Sequence, residues 1–342
     1  MIAAVRANIL VLMTSSKPAT HAPGDQRNPG YAFRPDWLEG LQVDAAFAAS
    51  RAAEVATRAS ADGRHDTEAL LQVVRLLDLT TLTDGDTDET VRRLCASALQ
   101  PVAPEILSAL GVPQLTTAAV CVYGRFVPTA RAALAGSGVR VAAVTGGFPF
   151  GHEAFGERLD DVRKAVEAGA DEIDVVIDRN HALEGDWRAL YDETRAFRDA
   201  CGPARLKTIL AAGDLGDLDV VARAGLVCCM GGADFIKTST GREEVNATLP
   251  IGVAMIAALR CYADRAGHAV GLKPAGGIRT AKEALEWLQL MREEIGDAWT
   301  TARYFRLGAS SLLRDINRQL EFRMDVVTGS VPCLPHPRRG SP

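Results

Sequence analysis

The stretch DFIKTSTG (residues 234–241) has the pattern of a short buried β-strand, yet it carries Lys237 in its middle. Removing an ammonium group from water is costly unless a partner compensates for it or chemistry exploits it. Similar short apolar segments bounded by Gly, Pro or Asp recur along the chain, and this recurrence predicts eight strands. The segments are 73–80, 118–123, 139–146, 172–178, 205–210, 234–240, 269–275 and 304–309.

Helical patterns separate these segments. The pattern at 280–296, for example, has Thr280 as a start signal and Gly296 as a stop signal. Eight strand–helix units over about 250 residues predict an α/β fold, a (β/α)8 TIM barrel. The alternative is an open doubly wound sheet, although no G-x-G-x-x-G follows the first strand.

The chain outside the barrel has a different composition. Residues 1–35 are rich in Pro, Gly and Ala and are expected to form a disordered N-terminal extension. Residues 36–70 are expected to form an N-terminal helical segment, residues 71–322 the barrel, and residues 323–342 a flexible C-terminal tail.

Composition limits the function. The 342 residues carry a formal net charge of −5, which favours neither nucleic acid nor a membrane surface as a partner. Seven scattered cysteines without a C-x-x-C pair indicate reduced thiols and a cytoplasmic protein, with a signal peptide as the less favoured alternative. Six dispersed histidines predict no metal site.

Ionisable residues fall within four consecutive apolar segments: Asp174, Lys207, Lys237 and Lys273. Because side chains alternate along a strand, the apolar neighbours of each would face outward and the four charged groups inward. Each could be structural, as half of a buried ion pair. For Lys207 a supporting role is favoured over direct chemistry. The same two interpretations apply to Asp78 on the first strand, which could only organise the network.

Two inward lysines on adjacent strands are harder to explain structurally. They repel each other, so the protonated form of at least one is disfavoured, and a neutral amine is a nucleophile. We therefore expect Lys237 to attack an aldehyde and form a Schiff base, with Lys273 as the neighbouring cation.

Groups suited to a phosphate follow the last three strands. Glycines allow close backbone approach and a helix start attracts an anion, although such residues are also common in ordinary turns and caps. The candidates are Gly241, Arg242, Gly276, Gly277, Ser310 and Ser311.

These motifs resemble the deoxyribose-phosphate aldolases, which are class I aldolases. The matching stretches include LLDLTTL, EIDVVI, DFIKTSTG, GLKPAGGIRTAKEA and FRLGASSLL, and WLQLMREEIGDAW points to the animal-type branch. The resemblance implies reversible cleavage of 2-deoxy-D-ribose 5-phosphate to acetaldehyde and D-glyceraldehyde 3-phosphate in deoxyribonucleoside catabolism. It implies no cofactor or metal and is compatible with a homo-oligomer.

The resemblance also implies residue roles. Lys237 would be the Schiff-base lysine, Lys273 the lysine that perturbs it, and Asp174 a proton-transfer group acting with a water. Asp78 and Lys207 would support this network. Cys121 would lie near the site, where a small buried residue is the favoured interpretation.

The chain departs from the family pattern in two places. Arg242 stands where the family often has Lys. Some members end in a functional tyrosine, whereas the last tyrosine here is Tyr304, so any such tail contribution is absent or comes from elsewhere. Two alternatives stay open: another Schiff-base sugar-phosphate aldolase or transaldolase-like barrel, and a catalytically silent sugar-phosphate binder.

Overall fold

Eight parallel strands form the centre of the computed structural model, which describes residues 27–61 and 67–328. Their order is β7-β6-β5-β4-β3-β2-β1-β8, and isolated bridges from Leu272 to Phe305 and from Ala275 to Gly308 join the two end strands. The strands are β1 Leu77–Thr80, β2 Ala119–Tyr123, β3 Arg140–Thr145, β4 Glu172–Val176, β5 Arg205–Ile209, β6 Phe235–Lys237, β7 Gly271–Lys273 and β8 Leu307–Ala309. The predicted (β/α)8 barrel is confirmed, and the open-sheet alternative is wrong.

Helices lie between successive strands, before the first strand and after the last one. They are α1 Asp36–Glu39, α2 Ala45–Ala61, α3 Thr67–Arg75, α4 Asp88–Leu99, α5 Pro104–Ala109, α6 Val127–Ala133, α7 Phe155–Glu167, α8 Arg179–Leu183, α9 Trp187–Ala200, α10 Ala212–Leu215, α11 Leu218–Gly231, α12 Leu249–Ala266, α13 Ala281–Ile295 and α14 Leu312–Thr328. In the part of the chain that is described, none of these helices combines the length and apolar character needed to cross a bilayer.

Local signals set several of these boundaries. Thr280 accepts a hydrogen bond from the N–H of Glu283, and the Glu283 side chain accepts one from the N–H of Thr280, so the predicted start of α13 is a capping box. The helix ends at Gly296, as predicted. The expected first strand began too early, because residues 73–75 close α3, whose apolar face is buried.

The side-chain alternation of the strands is confirmed. Ile173, Val175 and Leu206 belong to the main core between the strands and the outer helices. Asp174 pairs in register with Lys207, and Lys237 with Lys273, on the neighbouring strands. Lys207 is opposite Phe235, two residues before Lys237 and on the same face, so the two charged pairs lie at successive levels inside the barrel.

The N-terminal segment is more ordered than the sequence suggested. Asn28 is buried: its N–H donates to Asp234 Oδ1 at 2.7 Å, and its side-chain amide donates to the carbonyls of Cys229 and Ala233. The Tyr262 hydroxyl donates a hydrogen bond to Asn28 Oδ1 at 2.8 Å. The expectation of disorder is therefore wrong for residues 27–35, which these buried hydrogen bonds hold on the barrel; residues 1–26 lie outside the described residues.

The other end of the chain also differs from the expected boundary. The last helix continues to Thr328, whereas the tail was expected to start at residue 323. Residues 62–66, within the expected helical segment, and residues 329–342, within the expected tail, lie outside the described residues.

Candidate active site

Three lysines converge on one carboxylate inside the barrel. Asp174 Oδ1 accepts a hydrogen bond from the Lys207 amine at 2.7 Å. Asp174 Oδ2 accepts hydrogen bonds from the amines of Lys237 at 3.0 Å and Lys273 at 2.8 Å. Asp174 and Lys207 are fully buried, and Lys237 is 3% exposed. The structure thus brings together the four inward charges that the sequence pattern predicted.

A second group of charges lies deeper in the barrel. Asp78 forms ion pairs with Lys273 at 2.6 Å and with Arg306 at 2.6 Å, and Arg306 also donates a hydrogen bond to it. Glu172 accepts from Lys207 at 2.7 Å and from Arg306 at 2.8 Å. Asp78 and Lys207 therefore contact the same network as Asp174 and Lys273.

Sequence reasoning missed Glu172 and Arg306. Glu172 precedes Asp174 by two residues on β4 and so shares its face, which was a usable signal. Arg306 lies immediately before β8, within the apolar segment 304–309 that predicts the eighth strand.

The charged neighbours fix the ionisation of this network. Burial alone would raise the pKa of Asp174, but the charges of neighbouring lysines, Lys207 first and Lys273 among them, outweigh that effect and hold the pKa well below its usual range. Burial alone would lower the pKa of Lys273, but Asp174 and Asp78 raise it well above the ordinary value. Asp174 is therefore a carboxylate and Lys273 a cation at neutral pH.

A cavity of about 350 Å³ opens above this network, at the carboxyl ends of the strands. The two lysines Lys237 and Lys273 line it, whereas Asp174 and Lys207 are not among its lining residues. All six predicted phosphate residues line the same cavity: Gly241, Arg242, Gly276, Gly277, Ser310 and Ser311. In barrels of this kind the strand carboxyl ends carry the active site.

The loop after β6 has its backbone N–H groups occupied by a side chain of the same loop. Glu243, which sequence reasoning missed, accepts hydrogen bonds from the N–H groups of Thr240, Gly241 and Arg242 at 2.9, 3.0 and 3.1 Å. The N–H of Gly241 is therefore already used within its own loop. Arg242 donates a side-chain hydrogen bond to the carbonyl of Leu82 at 2.8 Å.

The loop after β7 needs glycine. Gly276 and Gly277 have φ values of 81° and 85°, a region that side-chain-bearing residues rarely adopt. A Cβ at Gly276 would also lie 2.6 Å from Asn246 Oδ1, whereas one at Gly277 would meet nothing within 4 Å. Gly277, Ser310 and Ser311 are exposed at the rim of the cavity.

Cys121 lies inside the barrel beside Ala142 and Val144 in a small apolar cluster. Burial raises the pKa of its thiol, so the sulfur stays protonated at neutral pH. These contacts fit the expectation of a small buried residue. Within residues 27–61 and 67–328, no group of three or more His, Cys, Asp or Glu side chains could hold a metal ion.

The closed barrel and the lysines at the carboxyl ends of its strands define a class of enzyme, the barrel aldolases. The chain belongs to the DeoC/LacD family of aldolases, whose model matches residues 72–317. It is 51% identical to the deoxyribose-phosphate aldolase of Mus musculus, over 83% of this chain and 91% of that protein. It is 47% identical to the deoxyribose-phosphate aldolase of Homo sapiens, over 86% and 93%.

A solved structure has the same fold. The crystal structure of a candidate deoxyribose-phosphate aldolase from Toxoplasma gondii is 25% identical in sequence, with a TM-score of 0.66. The match covers 75% of this chain and 96% of that one. The mammalian matches agree with the animal-type resemblance noted in the sequence.

Proposed function

We propose that this aldolase cleaves 2-deoxy-D-ribose 5-phosphate reversibly to acetaldehyde and D-glyceraldehyde 3-phosphate through a Schiff base on Lys237. The observation that carries the proposal is the position of the Lys237 amine between the cavity and the buried charges. It lines the cavity and lies 3.0 Å from Asp174. Family membership and the names of the mammalian relatives support the substrate.

The buried charges support Lys237 as the uncharged amine. The cluster contains three carboxylates, Asp78, Glu172 and Asp174, against three lysines and Arg306. Full ionisation would leave one excess positive charge in a desolvated interior, and one neutral amine removes it.

The contacts then favour one lysine as the neutral group. Lys207 contacts Asp174 and Glu172, and Lys273 contacts Asp174 and Asp78. Lys237 contacts Asp174 alone among the described carboxylates. Lys237 therefore loses the least ion pairing by giving up its proton.

The proposed reaction uses these groups in order. The neutral Lys237 amine attacks C1 of the open-chain sugar, and water leaves to form an iminium. The C2–C3 bond then breaks as the C3 hydroxyl loses its proton, and the bonding electrons flow into the iminium to form an enamine. Protonation of the enamine carbon and attack by water release acetaldehyde and restore the amine.

Asp174 is the proposed proton-transfer group. Because its pKa is held low, it acts as a carboxylate that relays protons from water rather than as a stored acid. Lys273, held cationic by two carboxylates, provides the positive charge beside Lys237. We assign Asp78 and Lys207 to holding these two residues in place.

The substrate phosphate is proposed to bind at the rim formed by Gly277, Ser310 and Ser311, with Arg242 supplying charge. Gly241 and Gly276 shape that rim through their backbone conformation. A cytoplasmic location, a homo-oligomeric state and the absence of a nucleic-acid partner stay predictions.

The test is a substrate panel in which released acetaldehyde is reduced by alcohol dehydrogenase and NADH oxidation is followed. We expect turnover of 2-deoxyribose 5-phosphate, and a kcat/KM lower by at least about 100-fold for unphosphorylated 2-deoxyribose. Turnover of a different sugar phosphate alone would instead favour another Schiff-base aldolase. Binding without any turnover would favour the silent binder.

A further inference from the structure

A carboxylate of the protein itself occupies backbone groups at the substrate cavity. Glu243 accepts hydrogen bonds from three consecutive backbone N–H groups. The donors are Thr240 at 2.9 and 3.1 Å, Gly241 at 3.0 Å and Arg242 at 3.1 Å. All three donor residues line the cavity that contains Lys237, whereas Glu243 is not among its lining residues. We refer to these three N–H groups as the β6 nest.

The β6 nest has the form of an anion site. Successive N–H groups that converge in a turn attract a negative group, and phosphate oxygens bind in such concave backbone sites. Gly241 makes the turn possible, because its φ of 92° lies in a region that residues with a Cβ rarely adopt. The nest therefore suits a phosphate group as well as it suits the Glu243 carboxylate.

The nest adjoins the rest of the proposed phosphate site. The N–H of Ala247, in the same loop, donates a hydrogen bond to the carbonyl of Gly276 at 3.3 Å, so the loops after β6 and β7 are joined. Gly277, Ser310 and Ser311 line the same cavity as the nest. The substrate phosphate and the Glu243 carboxylate are both anions, so they would compete for the same N–H donors.

Other contacts hold this loop when the carboxylate leaves. The side-chain amide of Asn246 donates to the backbone carbonyl of Glu243 at 2.8 Å. The Arg242 guanidinium donates to the carbonyl of Leu82 at 2.8 Å, and the Arg242 N–H also donates to Thr240 Oγ1 at 3.1 Å. These bonds do not use the Glu243 side chain. The nest can therefore keep its shape while that side chain, which is half-buried, turns towards solvent.

We propose that Glu243 is an internal competitor of the substrate phosphate. Its carboxylate fills the β6 nest in the free enzyme, and the phosphate takes over these N–H groups when the substrate binds. This inference rests on the proposed function, because it assigns a further part of the site for the same substrate. Glu243 then weakens phosphate binding, because only the fraction of molecules with an empty nest binds at full strength.

The test compares Glu243→Gln with Glu244→Gln as the matched control. Each variant removes one negative charge at neighbouring positions and keeps the size of the side chain, but only Glu243 fills the nest. Isothermal titration calorimetry with inorganic phosphate measures the site without any turnover. The KM for 2-deoxyribose 5-phosphate measures it in the reaction, and thermal unfolding establishes that both variants are folded.

We expect Glu243→Gln to bind inorganic phosphate at least about 3-fold more tightly than the wild type, and its KM to fall by a similar factor. The ratio of kcat/KM for 2-deoxyribose 5-phosphate to kcat/KM for 2-deoxyribose should also rise at least about 3-fold. Glu244→Gln should change the binding of phosphate by less than about 1.5-fold, because its charge is exposed and screened. A role of Glu243 in ordering the loop predicts the opposite sign, namely weaker phosphate binding in Glu243→Gln.

A crystal structure of the wild type with bound inorganic phosphate tests the displacement without any variant. We expect a phosphate oxygen at the N–H groups of Thr240 and Gly241, with the Glu243 carboxylate away from them. Phosphate bound at Ser310 and Ser311 while Glu243 still occupies the nest would overturn the proposal. Unchanged, weaker or unsaturable phosphate binding by Glu243→Gln would overturn it as well.

The same measurements separate this inference from the proposed function. Displacement of Glu243 by phosphate in a protein that does not cleave 2-deoxyribose 5-phosphate would refute the proposed reaction and keep the nest as an anion site. Cleavage with a KM and a phosphate affinity that are the same in wild type and Glu243→Gln would refute the role of Glu243 alone.

Discussion

Replacing Glu172 by Gln tests whether the buried charge network stabilises the fold in the way its geometry implies. Glu172 accepts from Arg306 at 2.8 Å and from Lys207 at 2.7 Å, and it is fully buried. Burial alone would raise its pKa, but Arg306 and Lys207 outweigh that effect and lower the pKa from 4.5 to about 2. The substitution keeps the side-chain shape and removes the charge.

The magnitude follows from that difference in pKa. At about 1.4 kcal/mol per pKa unit, the folded state favours the ionised carboxylate by about 3 kcal/mol at neutral pH. A lowered folded pKa gives stability that is present above the ordinary value of 4.5 and is lost as the pH falls through about 2. About 1 kcal/mol should remain at pH 3.

The assay is urea unfolding of wild type and Glu172→Gln between pH 7 and pH 3. We expect the unfolding free energy of the variant to be about 3 kcal/mol below that of the wild type at pH 7. This difference between wild type and variant, the gap, should be smaller by about 2 kcal/mol at pH 3. Glu184→Gln is the control, because Glu184 is exposed and should show no gap at either pH. A gap for Glu172→Gln that does not change with pH would refute the reasoning.

Three further predictions concern other residues. Lys273→Leu should lower kcat at least about 100-fold and raise the pH optimum, because it removes the cation beside Lys237; an unchanged pH–rate profile would contradict that role. Cys121→Ala should keep kcat within about 3-fold while lowering the unfolding free energy by about 1 kcal/mol, and a kcat loss of 100-fold would assign the thiol a chemical role. Thr280→Ala should lower the unfolding free energy by about 1 kcal/mol with normal KM, because it removes half of the capping box; a change below 0.3 kcal/mol in urea unfolding would contradict this.

Period-2 alternation and strand spacing were enough to predict the barrel and the convergence of its inward charges. Asp174 and the three lysines lie on the inward faces of consecutive strands, and these faces meet inside the closed barrel. The helix at 281–295 could also be predicted from the sequence, because the residues that start and stop it act locally. Predictions succeeded where the signal was a local one: the alternation within each strand and its regular spacing, or the residues at the end of a helix.

The features that the sequence did not predict depend on contacts formed only in the folded chain. Asn28 is ordered because groups more than two hundred residues away satisfy its side chain, which local composition does not reveal. Glu243 binds the loop after β6 through backbone N–H groups, whose orientation depends on the folded turn. Arg306 becomes part of the core only when the barrel closes beside β1.

Trapping the Schiff base measures the central claim most directly. The protein would be mixed with 2-deoxyribose 5-phosphate and borohydride, followed by intact mass measurement and peptide mapping, with Lys237→Leu as the control. We expect one substrate-derived adduct per chain, on the peptide that contains Lys237, and no adduct in the variant. An adduct on Lys273 or Lys207 instead, or turnover of the substrate with no adduct on any lysine, would contradict the assignment.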